Sequence, residues 1–151
     1  MVKMKNSVST DMLHMELKQL GASVIKAFPT KAVVIVFNID DDLTVSYFCH
    51  VRDEEVVSLQ RIEPYPIKDY RFDNVDSIIE FIKQDVNMFR NASNSSNFKK
   101  FLDIIEKNYQ ARKDMEDLFL MSNVSPEVLD TLENLEDEFL GKIKNIEKIQ
   151  L

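Results

Sequence analysis

The sequence predicts an α+β fold: an N-terminal helix, a four-stranded antiparallel meander, a helix, then a C-terminal antiparallel αα-hairpin. Three observations predict it. The apolar spacing switches from helical to alternating after Gly21 and returns to helical after Asn74. The alternating segments are joined by turns too short for a parallel crossover. The last third of the chain carries two long amphipathic repeats separated by Ser122-Asn123-Val124-Ser125-Pro126.

Leu13, Leu17, Leu20 and Val24 keep the helical spacing of the first element, with Met12 beside them. Ser9 or Thr10 supplies an N-cap, and Gly21 fits a left-handed C-terminal position. This predicts one buried stripe. Residues 22–28 read as a first strand, ended by Pro29-Thr30. Residues 31–39 read as the strongest strand. Val33, Ile35, Phe37 and Ile39 share one face, yet Val34 and Val36 on the other face are apolar too. A strand apolar on both faces is expected in the middle of a covered sheet.

Asp40-Asp41-Asp42 is a turn. Residues 43–51 alternate Leu43, Val45, Tyr47, Cys49 and Val51 against Thr44, Ser46, Phe48 and His50. Residues 56–62 are a fourth strand, stopped by Pro64-Tyr65-Pro66. Asp73 or Asn74 caps the next helix, whose stripe is Val75, Ile78, Ile79, Ile82, Val86 and Phe89. The polar run from Asn91 to Asn97 marks a boundary. It suggests a sheet module over 1–91, a linker over 92–97 and a helical hairpin over 98–151.

In the hairpin, Asn97 precedes a stripe of Phe98, Phe101, Leu102, Ile105 and Tyr109 that continues to Met115 and Phe119. Ser125-Pro126-Glu127 is a helix start, with Ser at N-cap and Pro at N1. Val128, Leu132, Leu135, Phe139, Ile143 and Ile146 follow at helical steps, the pattern of an ordinary amphipathic helix rather than a heptad zipper.

Charge and composition exclude several functions. The net charge is −7 and the pI near 4.9. A dedicated binder of nucleic-acid backbone needs a surplus of cations, and Lys99, Lys100, Arg112 and Lys113 are interleaved with acids. No direct nucleic-acid contact is expected. Two glycines cannot build a phosphate loop, and one cysteine builds neither a disulfide framework nor a cysteine zinc module. No apolar run approaches the roughly 20 residues of a membrane span. With no signal-peptide pattern at the N-terminus and a free Cys49, the expected compartment is the cytoplasm.

Candidate chemistry is sparse. Cys49 and His50 are adjacent, and neighbours on a strand point to opposite faces, so they cannot share a metal or act as nucleophile and base. The aspartate turn fails the calcium-loop pattern: counting from Asp40, Val45 replaces the glycine at position six and Val51 the glutamate at position twelve. No cofactor, metal site or catalytic residue is expected, and the chain is read as a non-enzyme.

The most distinctive feature is a stretch from Asp114 to Gly141 with nine acids and no Lys or Arg in 28 residues. An acidic helical docking surface for a basic protein partner follows, carried by Glu127, Asp130, Glu133, Asp137 and Glu138. Phe48 and His50, on the less apolar face of their strand, are second candidates. The expected function is a non-catalytic protein-binding module acting by occlusion or scaffolding, of the inhibitor or immunity type. In size and charge the chain is similar to immunity proteins, antitoxins and phage-encoded inhibitors, a likeness that assigns no residue a role. Two alternatives stand beside it. One is a small-ligand binder or enzyme with a pocket between sheet and hairpin. The other is a homodimer through residues 98–151, built as a four-helix bundle.

Overall fold

The computed structural model describes residues 7–26, 31–52 and 56–146. The element order is α1 (Ser7–Gln19), β1 (Lys31–Asn38), β2 (Thr44–Arg52), β3 (Val56–Glu63), β4 (Tyr70–Phe72), α2 (Val75–Ser93), α3 (Phe98–Met121) and α4 (Pro126–Asn145). The fold is α+β, with a four-stranded antiparallel meander in the order β1-β2-β3-β4 and a helical hairpin at the C-terminus. The chain divides into two compact units, Met1–Asn91 and Ala92–Leu151.

Helix α1 ends as its sequence dictates. Gly21 has φ 94°, its amide donates to Lys18 O and the Ala22 amide to Leu17 O, both at 3.0 Å. This is the paired closure of a Schellman motif, which glycine enters without a Cβ penalty. The expected buried stripe does not form: Leu17 is half-buried, while Met12, Leu13, Leu20 and Val24 are exposed.

The first expected strand is also absent. Residues 22–26 form no strand, and 27–28 lie outside the described residues. Val24 and Ile25 are consecutive and give that segment no single apolar face. The fourth strand is β4 instead. It is too short to show a period, and its Tyr70 and Phe72 rings lie 5.0 and 5.5 Å from the Phe81 ring of α2. That aromatic packing stabilises three residues of pairing against β3.

Between β1 and β2 the Asp40 carboxylate accepts from the amides of Asp42 (2.9 Å) and Leu43 (2.8 Å). The aspartate run is thus a hairpin turn closed by its own side chain. Strand β2 carries the centre of the core: Leu43 just before it, then Val45, Tyr47 and Cys49, all buried, as is Leu59 of β3. A register shift between Ser46 and Tyr47 marks a bulge, and beside it the buried Ser46 hydroxyl donates to Glu63 Oε2 at 2.7 Å. Strand β1, expected in the middle of the sheet, stands at its edge, and its outer-face Val34 and Val36 are 67% and 55% exposed.

Helix α2 starts where Asn74 Oδ1 accepts the Ser77 amide at 2.8 Å, so Asn74 rather than Asp73 is the cap. It buries Ile78, Ile82, Asp85, Val86 and Phe89 and runs to Ser93, two residues beyond the expected end. The aspartate among them is matched by an arginine from the sheet. Arg61 Nη1 donates to both Asp85 oxygens at 2.8 and 2.9 Å, and Tyr47 donates its hydroxyl to Asp85 Oδ2 at 2.7 Å. Tyr47 and Arg61 are direct cross-strand neighbours, so β2 and β3 grip the same residue of α2. Arg61 Nε donates to Tyr65 O, and the guanidinium lies 4.5 Å from the Tyr65 ring and 4.7 Å from the Phe89 ring. Stacked aromatic faces suit the weakly hydrated guanidinium.

Two expectations follow. Asp85→Ala leaves the Arg61 charge buried without its counter-ion and lowers unfolding stability by about 3–5 kcal/mol in denaturant titration. Burial, followed by the hydrogen bond to Asp85, pushes the Tyr47 hydroxyl above its ordinary value of 10.0. The folded state holds this proton where the unfolded chain releases it. The associated stability is therefore intact below pH 10.0 and falls above it, by up to about 1.4 kcal/mol per pH unit. Tyrosinate absorbance tracks this loss, and Tyr47→Phe removes it.

Candidate functional site

Helices α3 and α4, joined through residues 122–125, bury none of their residues. Both starts depart from simple capping. Asn97 stands at the N-cap of α3 with helical backbone (φ −91°, ψ −4°), and its side chain makes no cap bond. The cap geometry needs an extended residue. Ser125 is extended at the start of α4 (φ −72°, ψ 152°), with Pro126 following, and its hydroxyl is directed to the Glu127 carboxylate instead of a helix amide.

The predicted acids are all exposed: Glu127, Asp130, Glu133, Asp137 and Glu138. At 100° per residue, Asp130, Glu133 and Asp137 fall on one side of α4, and Glu127 and Glu138 share a neighbouring row. Glu138 is already countered by Lys142 at 2.7 Å. The Ser125 hydroxyl beside Glu127 holds its carboxyl below the usual range. A carboxyl held low stays ionised, so Glu127 adds its charge to that of Asp130, Glu133 and Asp137.

Sequence reasoning missed the end of α3. Leu118, Phe119, Leu120 and Met121 are four successive apolar residues, all exposed, Met121 by 83%. Successive positions step by 100°, so the four encircle the helix, and no single packing surface can cover them. Val128 and Leu129, at the start of α4, are exposed as well. The signal was present as an apolar run with no helical period. It was read only through Phe119, as one member of a stripe.

Phe48 and His50 belong to the other unit. They lie on the outer face of β2, Phe48 half-buried and His50 exposed, with their rings edge to face at 4.5 Å. Cys49 between them is buried on the opposite face, where burial pushes its thiol up and keeps it protonated. The structure thus brings the acids together on α4 and Phe48 together with His50.

Among the described residues no group of three or more His, Cys, Asp or Glu side chains could hold a metal ion. No helix among them is long and apolar enough to cross a membrane. The buried trio of Tyr47, Arg61 and Asp85 is spent on mutual hydrogen bonds, and no described buried side-chain nitrogen or oxygen lacks a partner.

Because the Ser125 hydroxyl favours the ionised form of Glu127, Ser125→Ala shifts the Glu127 titration upward. Carboxyl NMR resonances followed against pH measure it. The contribution this bond makes to α4 is present above the unfolded carboxylate value and fades as pH falls through the folded one.

Comparison of the chain with protein-family models, with curated proteins and with solved structures gives no match.

Proposed function

We propose that this chain is a non-catalytic protein-binding module whose α3–α4 pair docks on a partner with a basic surface, acting by occlusion or scaffolding. One observation carries the reading: two helices of 24 and 20 residues have no fully buried residue, and the joint between them is flanked by exposed apolar side chains within a cation-free acidic stretch. Exposed apolar groups of this kind gain from burial against a partner. Phe119, Leu120 and Met121 are the anchors, since they are the most exposed large apolar side chains at the joint and gain most from burial. Asp130, Glu133 and Asp137 steer the encounter and reject acidic surfaces.

The test uses the tagged full chain to capture its partner from host lysate, followed by affinity measurement with the purified partner. Replacing Asp130, Glu133 and Asp137 together by Lys is expected to slow association by about tenfold or more and to remove most of its salt dependence. Phe119→Ser is expected to speed dissociation instead, with the helix content unchanged. Binding that ignores both changes would overturn the assignment of this surface.

A further inference from the structure

Each helix of the α3–α4 hairpin carries apolar side chains that the other helix does not cover. Of the α4 stripe only Leu132 is half-buried, while Val128, Leu135, Phe139 and Ile146 are exposed. At 100° per residue these four fall within about 40° of one another and form one row along the helix. On α3, Phe98, Leu102 and Ile105 are half-buried, whereas Ile104, Ala111 and Leu118 form a second row that is exposed. An amphipathic stripe is stable only against another element. Two helices close one seam and four close a core, so these rows fit a second pair of helices.

Charge is divided along the length of the hairpin. The tip, residues 114–141, holds nine acids and no Lys or Arg. The base, residues 98–113 and 142–146, holds seven cations against only Asp103 and Glu106. The hairpin therefore carries both an acidic surface and a basic surface that fits it. Glu127 and Glu136 flank the exposed row of α4, and Lys100 and Lys107 border that of α3. At a rise of about 1.5 Å per residue, Glu127 lies about 1.5 Å from the tip end of α4 and Lys100 about 3 Å from the base end of α3. Glu136 lies about 15 Å from that tip and Lys107 about 14 Å from that base. No ion pair among the described residues engages any of these four.

We infer that α3 and α4 dock on a second copy of the chain, the two hairpins packing antiparallel as a four-helix bundle with the tip of each on the base of the other. The inference rests on the reading of this hairpin as a docking surface, and it names the basic partner. Antiparallel docking sets Glu127 opposite Lys100 and Glu136 opposite Lys107, twice per dimer, while the exposed apolar rows of the two copies close over one another. Parallel docking would set acids against acids at the tip. A foreign basic surface would match the tip and leave the basic base unmatched, whereas a second copy matches both.

Sedimentation equilibrium of the full chain, over a wide dilution series and at two salt concentrations, tests it. The expected result is a mass of twice 17.6 kDa that dissociates on dilution, and more readily at the higher salt. Lys100→Glu with Lys107→Glu is expected to weaken the dimer by about tenfold or more, and Glu127→Lys with Glu136→Lys to do the same. All four side chains are exposed, and circular dichroism checks that the helix content is unchanged. An equimolar mixture of the two double variants is expected to restore wild-type affinity, because each altered charge then meets its opposite across the seam. A wild-type monomer at every concentration overturns the inference, as does a dimer that ignores the charge reversals or is not rescued by mixing. The broader docking reading is judged separately: a monomer that captures a foreign basic partner through α3 and α4 keeps that reading and overturns only this inference.

Discussion

The sheet and its covering helix are held in register by one buried carboxylate. Asp85 lies on the inward stripe of α2 between Ile82 and Phe89, and there it accepts from Tyr47 of β2 and Arg61 of β3. Apolar contacts alone tolerate sliding, because one methyl group serves almost as well as the next. A buried charge does not, since any displacement leaves it unpaired in a low-dielectric site. Tyr47 and Arg61 face each other across the β2–β3 ladder, so the carboxylate also fixes where α2 crosses the two strands. The rings of Tyr65 and Phe89 complete the enclosure of the guanidinium, which ties the turn after β3 to the same point.

Around that point the two units differ in kind. Met1–Asn91 has a conventional interior centred on Val45, Tyr47 and Leu59, each fully buried. The α3–α4 unit has amphipathic helices with no buried residue. Its order comes from helix propensity, local pairs such as Glu138–Lys142, and half-buried contacts at Leu102, Ile105, Met115 and Leu132.

Much of the architecture was legible in the chain. Alternation marked β1 and β2, Gly21 ended α1, and Ser125-Pro126 opened α4, each because local sterics or backbone hydrogen bonding decide it. The misreadings share a cause. The strand assigned to 22–28, the central place given to 31–39 and the buried stripe of α1 all required knowing which element lies next to which. Of the residues proposed for docking, the acids of α4 could be read from their spacing, whereas the apolar end of α3 was hidden by its lack of a period.

Arg61 and Asp85 show where the division falls. Each breaks an apolar pattern in its own element, a charge where a hydrophobe is due, and each could be noticed in the sequence. That they answer one another across 24 residues is a fact of folding. The sequence by itself determined every element but β4, the turn after β1 and the cation-free acidic stretch, because those depend on neighbours a few residues apart. Only the tertiary structure decided which strand is an edge, which stripe is covered and which charges are paired, because burial belongs to surfaces brought together from distant parts of the chain.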